Sequence, residues 1–493
     1  MLGGLASLAV AVAGSLPDSP FKLDAAGSWF FGEPARITAA PTGSPLLLAG
    51  SALGFAGLVL LIRVWLRLVQ ALRQRPGAPV WRLAVLLACW SAPMLIVAPM
   101  FSRDLYSYAA QGEMVTRHVN PYLHGPSVLG GSPFARWVDQ YWIHAPSPYG
   151  PLFLVLAGLA VRLSGHSLLG SLVLLRLIAV CGVALLAIAI PRIARRCGHD
   201  PGLAFAIGAA SPLTVFILVG GGHNDALMAG LLAAGVLCAL AGHKVAAVAI
   251  IACAGAIKAP ALLAIVVLAW LWTGTSTPAR VRAMALAGGL ALSCGVLALW
   301  SLAAGFGFGW VNDLARPGTV TSWAALATWL GQAASALGHL AGLPVGTAGW
   351  ITISRLACAA LMVAIWAYVV LRIDRFGLVQ GVGVALVAVA LLGPVLQPWY
   401  LIWGLALLAC VPGARARLIC LSLASVTPFM GLPGGPQLAA EVARTWPVTA
   451  MIVVVGLALV LLAPLGSWAN RPAELPGNAV ASRPGVDVGL PRA

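Results

Sequence analysis

The sequence predicts an all-α integral membrane protein with roughly 11 to 14 transmembrane helices. Three observations carry that prediction. First, 61% of the 493 residues are hydrophobic and 9% are charged, with a mean hydropathy of +0.96. Soluble proteins carry about 25% charged residues, so water cannot be the main solvent of this surface. Second, apolar runs recur along most of the chain, many of them near the roughly 20 residues that cross a bilayer as a helix. Third, Lys and Arg cluster in short polar breaks between runs, which marks those breaks as cytoplasmic. The net charge of +16 is therefore orientation. It signals no nucleic-acid partner, which would need a soluble basic patch.

The elements follow in chain order. Leu2–Ala13 reads as a short first span, since it lacks the basic start and cleavage pattern of a signal peptide. Clear spans come next at about Leu46–Leu68, Leu83–Met100, Leu168–Ile190, Leu203–Gly220 and Ala226–Leu240. Later ones are Val281–Ala303, Trp350–Leu371, Leu378–Leu396, Leu401–Val411, Leu418–Phe429 and Val448–Leu465. Two runs do not fit simple crossings. Pro151–Leu163 is too short, and a full crossing there would put Arg192, Arg195 and Arg196 outside; it reads as a re-entrant or juxtamembrane helix after the first large outer loop. Val245–Trp272 starts and ends beside cytoplasmic charge and reads as two short helices bent at Lys258-Ala259-Pro260. Phe101–Ser147, Phe306–Gly349 and Gly431–Thr445 are outer segments, and the Pro- and Gly-rich tail, residues 466–493, reads as disordered and cytoplasmic.

On this topology 18 of the 29 basic residues and four of the 13 acids (Asp200, Asp374, Glu474, Asp487) are cytoplasmic, giving 18 − 4 = +14; the rest of the chain carries 11 − 9 = +2. Most acids face outward. The nine cysteines sit in apolar runs or, for Cys197, in a basic loop, which argues against a disulfide framework.

Among the outer acids Asp104 stands in Ser102-Arg103-Asp104-Leu105-Tyr106-Ser107-Tyr108, just past a span. At helical spacing Asp104, Ser107, Tyr108 and Gln111 share a face. Carboxylate, amide and aromatic groups together suit sugar recognition, but an Arg103/Asp104 ion pair with Tyr106 and Tyr108 as interfacial anchors fits equally well. Gly221-Gly222-His223-Asn224-Asp225 joins two spans at the same outer level; either the polar trio binds ligand or Asn224 or Asp225 caps a helix. Lys258 lies deep in an apolar run, and an intramembrane cation marks a functional site by default; a lipid phosphate is one partner and snorkelling to the surface the other reading. Arg176 and Arg355 raise the same question. Gln397-Pro398-Trp399-Tyr400-Leu401-Ile402-Trp403 is either an aromatic belt or part of a cavity roof.

Taken together, Ser102 to Gly112, Asn120-Pro121-Tyr122, Pro148-Tyr149-Gly150-Pro151-Leu152-Phe153, His223 to Met228 and Gln397 to Tyr400 resemble the actinobacterial polyprenol-phosphate-mannose-dependent α-(1→6)-mannosyltransferases, over roughly residues 45 to 465. That resemblance implies a GT-C-type membrane glycosyltransferase fold, with residues 1–81 as additional N-terminal helices and residues 82–465 as the catalytic module, its large outer loop at 101–166. It implies an inverting enzyme of lipomannan and lipoarabinomannan backbone synthesis, acting at the outer face of the plasma membrane. The partners are a polyprenyl-phosphate-mannose donor, a lipid-anchored mannan acceptor and membrane lipids. Asp104 takes the place of the base. Arg103, Tyr106, Tyr108, Gln111, Asn120, Tyr122, Tyr149, His223, Asn224, Asp225, Lys258, Gln397, Trp399 and Tyr400 are candidates for substrate binding. No cofactor is expected; a divalent metal shared by Asp104 and Asp225 is the disfavoured alternative, for want of a hard-ligand cluster. Rival readings are a lipid-linked-sugar flippase and the same fold using arabinofuranose.

Overall fold

The computed structural model describes residues 1–16, 45–274, 276–322 and 324–430. The expected span Val448–Leu465, the segment Gly431–Thr445, the acids Asp18, Asp24 and Glu33, and the tail 466–493 lie outside the described residues. Every regular element within them is helical, and the chain is a polytopic helical membrane protein.

Among the described residues seventeen α-helices follow in order. They are α1 (Leu2–Ser15), α2 (Pro45–Gln74), α3 (Val80–Leu95), α4 (Asp104–Thr116), the one-turn α5 (Pro133–Arg136) and α6 (Pro151–Leu163). Then come α7 (Leu168–Arg196), α8 (Pro201–Gly208), α9 (Asp225–Leu240), α10 (Lys244–Gly255) and α11 (Leu263–Leu271). The last are α12 (Ala279–Ala304), α13 (Leu326–Leu340), α14 (Thr347–Leu371), α15 (Ile373–Leu392), α16 (Ile402–Leu408) and α17 (Ala414–Met430). Among the described residues five helices are long and apolar enough to cross a membrane, or six with one bent pair, and seven further apolar segments are shorter. The expectation of 11 to 14 crossings therefore divides into a few full-length helices and several short ones. Short helices at membrane depth are tolerated where they line a cavity.

The departures from prediction have local causes. The expected span Leu83–Met100 is helical only to Leu95, because Pro99, whose N–H would bond the Leu95 carbonyl, has none to give. The carbonyls of Leu95 and Val97 are taken instead by the Arg176 guanidinium at 3.2 and 2.6 Å. The expected span Leu203–Gly220 is two pieces: α8 and a π-helical stretch, Leu213–Gly220, bent by 49°. The break falls at Ser211-Pro212, where proline cannot continue the ladder. Helix α13 lies in a segment read as outer loop. Its buried face, Ala327, Thr328, Gly331, Ser335 and Gly338, is made of small residues, so no large-apolar period announces it. Those small residues let α14 approach closely: a Cβ on Gly331 would stand 2.5 Å from the Ile351 Cα.

Two sequence readings of broken helices hold. Lys244 to Leu271 folds as α10, a 3-10 turn at Ala259–Leu262, and α11, with Lys258 extended at the break. Helix α6 is 13 residues long, about 20 Å at 1.5 Å per residue, too short to cross. It packs along α4 so tightly that a Cβ on Gly112 would stand 2.5 Å from the Ala157 carbonyl oxygen.

Candidate active site

The chain turns from the end of α3 into α4 through Phe101, whose φ of 66° is rare for a bulky residue. The turn puts Asp104 at the head of α4, where the helix N-terminus favours a negative charge, and Ser102 Oγ accepts from the Asp104 amide at 3.0 Å. A second turn builds the facing wall. Gly222 takes φ of 68°, and a Cβ there would meet the Leu105 side chain at 2.9 Å. This tight passage lowers His223 to the level of Asp104.

A third junction completes the site. Gly150 sits so close to Ala256 that a Cβ would meet its carbonyl oxygen at 2.3 Å. The amides of Gly150 and Leu152 donate to the carbonyls of Ile257 and Ala256, each at 3.0 Å. The Pro148-Tyr149-Gly150-Pro151 entry to α6 therefore caps the open end of α10, and Tyr149 is carried to the break that holds Lys258.

These junctions enclose a cavity of about 940 Å³, lined among others by Arg103, Asp104, Tyr149, Lys258, Gln397, Trp399, Tyr400 and Trp403. Asp104 keeps 13% of its side chain accessible. Burial pushes its carboxyl up to about 6; the Lys258 ammonium opposes the rise and the Asp225 carboxylate adds to it. His223 is fully buried, with its ring stacked on Trp399 at 3.7 Å and Nδ1 3.6 Å from Asp104 Oδ2. Burial, with Lys258 nearby, holds this imidazole well below its usual range. It is neutral at neutral pH, and 3.6 Å is too long for a hydrogen bond.

Lys258 Nζ donates to both Asp225 oxygens, at 3.0 and 2.9 Å, and Asp225 Oδ1 also accepts from Trp403 Nε1 at 2.6 Å. The ammonium lies 4.6 Å from the Tyr400 ring centroid, 5.6 Å from Trp403 and 5.7 Å from Tyr149. Cations in such aromatic settings gain quadrupole attraction. The snorkelling reading fails for Lys258: the side chain is 12% exposed and points at a carboxylate.

Several predicted site residues stand behind the wall. Tyr108 donates to Asn224 Oδ1 at 3.2 Å and packs edge-on against Tyr149 and Phe153. Gln111 accepts from Ser147 at 2.9 Å in the core, Asn120 accepts from the Tyr122 amide at 2.9 Å, and Tyr106 and Tyr122 are buried. None of Tyr106, Tyr108, Gln111, Asn120, Tyr122, His223 and Asn224 lines the cavity; in this geometry they stand behind its wall. Asp225 too reaches the site through Lys258 rather than the cavity surface. The helical face of α4 explains the pattern, since residues one turn beyond Asp104 point into α6 and the turn before α9.

The ion-pair reading of Arg103 and Asp104 has no counterpart among the ion pairs found for Asp104. Arg176 and Arg355 also resolve as supports, binding backbone carbonyls. Trp403, read from the sequence as part of a belt or cavity roof, stands on the cavity wall, as do Asp139, Tyr141 and Trp142, which sequence reasoning left out of the candidate site. Trp403 follows Trp399 by four residues and so shares its helical face. No cluster of three or more His, Cys, Asp or Glu suited to a metal occurs among the described residues.

Comparison with known proteins gives two family matches. Residues 1–274 match a family described as alpha-(1->6)-mannopyranosyltransferase, N-terminal domain, and residues 327–468 match the MptB C-terminal domain. A Mycolicibacterium smegmatis protein named a probable alpha-(1->6)-mannopyranosyltransferase is 34% identical over 407 residues, 74% of this chain and 72% of the relative. An alpha-(1->6)-mannopyranosyltransferase of Mycobacterium tuberculosis is 33% identical, covering 68% of this chain and 66% of the relative. A second protein of that organism, alpha-(1->6)-mannopyranosyltransferase A, is 32% identical, covering 69% and 67%. No solved structure matches the chain.

Proposed function

The chain belongs to the alpha-(1->6)-mannopyranosyltransferase family, and we propose from that membership that it moves mannose from a polyprenyl-phosphate-mannose donor to the 6-hydroxyl of an α-(1→6)-mannan acceptor at the outer face of the plasma membrane. The observation that carries the reading is the shared cavity, in which a carboxylate at a helix head faces an aromatic-caged ammonium.

The reaction is a single displacement with inversion. The acceptor 6-oxygen attacks the anomeric carbon as the bond from that carbon to the donor phosphate breaks. Asp104 takes the hydroxyl proton, and a carboxyl value of about 6 suits a base working near neutrality. Trp399 and Tyr400 offer ring faces to the sugars, while Gln397 and Arg103 offer hydrogen-bond donors. His223, stacked on Trp399 and neutral, stands 3.6 Å from Asp104 and does not compete for its proton.

The departing polyprenyl phosphate gains charge next to Lys258. An ammonium carries three N–H groups, so the pairing with Asp225 leaves at least one for the phosphate. Asp225 in turn makes it tolerable to hold the cation at this depth before the donor arrives. A resident monovalent cation fills the role that a divalent ion would take, and both Asp225 oxygens are already engaged.

The test is purified protein in lipid with radiolabelled polyprenyl-phosphate-mannose and an α-(1→6)-mannobioside. Transfer with an α-linked product is expected. Absence of incorporation, or preference for a polyprenyl-phosphate-arabinofuranose donor, would sink the assignment, and sugar movement across vesicles without incorporation would favour a flippase.

A further inference from the structure

The mouth of the cavity carries a feature that the transfer step leaves unused. Residues 139–142 form a turn in which Asp139 accepts through Oδ1 from the Tyr141 amide at 2.9 Å. Through its carbonyl Asp139 also accepts from the amides of Trp142 and Ile143 at 2.8 and 2.9 Å. The turn is tied down at its far end as well, where the Ser127 amide donates to the Ile143 carbonyl at 2.7 Å. A rigid turn of this kind has no folding reason to hold its aromatic in the open. Yet Tyr141 is 70% exposed, with Trp142 half-buried beside it, and Asp139, Tyr141 and Trp142 all line the cavity that holds Asp104.

A pyranose presents an apolar C–H face and a rim of hydroxyls. An exposed ring next to a fixed carboxylate matches both, and ordering the ring beforehand lowers the cost of binding. We propose that Tyr141 and Trp142, with Asp139, form a second acceptor subsite that binds the mannose unit preceding the one attacked. The subsite makes the enzyme prefer an oligomannoside over a single mannoside, and so acts as the chain-length sensor of the reaction. The proposal rests on the reading of the cavity as a mannosyl-transfer site. Its occupant is an α-linked manno-oligosaccharide; the lipid donor, whose phosphate meets Lys258, does not use it.

The experiment compares methyl α-mannoside with α-(1→6)-mannobiose and α-(1→6)-mannotriose as acceptors for purified protein in lipid, at saturating donor. The wild type should use the oligosaccharides with a lower KM. Tyr141→Ala should raise the oligosaccharide KM roughly tenfold, the scale of a well-placed aromatic contact, with Trp142→Ala acting in the same direction. Methyl mannoside kinetics and donor KM should not move. Tyr141→Phe should retain the advantage of the longer acceptors, which separates ring contact from loss of a hydroxyl. Because Tyr141 is exposed, the results of its two variants do not depend on a repacked core. The proposal is overturned if wild type shows no preference for longer acceptors, if the preference survives Tyr141→Ala and Trp142→Ala together, or if the donor KM rises instead. Transfer to no mannoside at all by wild type would overturn the functional assignment itself, an outcome distinct from these three.

Discussion

Lys258 and Arg176 look alike in the sequence: each is a single cation within a long apolar run. In the fold they differ in what they hold. Arg176 donates to the carbonyls of Leu95, Val97 and Gly220, at 3.2, 2.6 and 3.0 Å, and so closes the frayed end of α3 against the π-helical stretch. Lys258 pairs with one carboxylate, lies over three rings and looks into a cavity. A guanidinium suits several fixed dipoles at once, whereas an ammonium is a compact point charge. The contrast teaches that burial depth does not separate a structural cation from a reactive one. Partner type does: backbone oxygens signify structure, and a carboxylate beside open space signifies chemistry.

The strongest way to break that contrast is on the cavity side. Asp104→Asn should cut turnover about 10²–10⁴-fold, the usual worth of a general base, while the thermal midpoint at neutral pH does not fall. Near-wild-type transfer would remove Asp104 from the chemistry. Next in size, Asp225→Asn leaves Lys258 without its counter-charge and should cost about 3–5 kcal/mol of stability, read by thermal unfolding in lipid. Adding Lys258→Met should restore most of that stability but not donor use; a double variant that regains turnover would mean the pair is only structural.

On the structural side, Arg176→Met strands three carbonyls and should destabilise by about 2–3 kcal/mol. The protein that remains folded should keep its donor and acceptor KM, and a specific change in either would erase the distinction from Lys258. Smaller again is the pH effect. With its carboxyl raised to about 6, Asp104 is ionised above that value, so kcat/KM should fall about tenfold per unit below it and be level above it. The raised value also means that the fold holds the proton more tightly than the unfolded chain. Stability should therefore drop as pH climbs from the ordinary carboxyl range through about 6, a drop that Asp104→Asn should lack.

Helix class, the break at Lys258, the short α6 and the place of Asp104 were legible because each rests on a local signal: apolar length, proline, or a polar residue at a span end. The missed features rest on contacts across the fold. Helix α13 buries Gly, Ala, Ser and Thr, whose small size matters only against α14. The Leu203–Gly220 run reads as one helix until the 49° bend at Pro212 is seen. Gln111 and Tyr108 were taken for ligand groups because spacing gives the face of α4 but not its neighbours, which are α6 and α7 rather than solvent. Asp139 and Tyr141 were passed over because an exposed loop aromatic acquires meaning only when it stands at a cavity mouth.

Arg355 combines features of the two buried cations and gives the finest test. Like Arg176 it binds carbonyls, those of Gly318 and Val320, each at 2.7 Å. Like Lys258 it serves the cavity, since Gly318 and Val320 are part of its wall. If partner type decides role, Arg355 is a positioning residue for that wall and takes no part in proton or phosphate chemistry. One of its two bonds lies at an exposed position, where water can replace a lost partner. Arg355→Gln should therefore cost about 1 kcal/mol or less, roughly fivefold in acceptor KM, with kcat and the pH profile unchanged. A shift in the acid limb near pH 6 would tie the guanidinium electrostatically to Asp104, and carbonyl partners would then no longer suffice to mark a cation as structural.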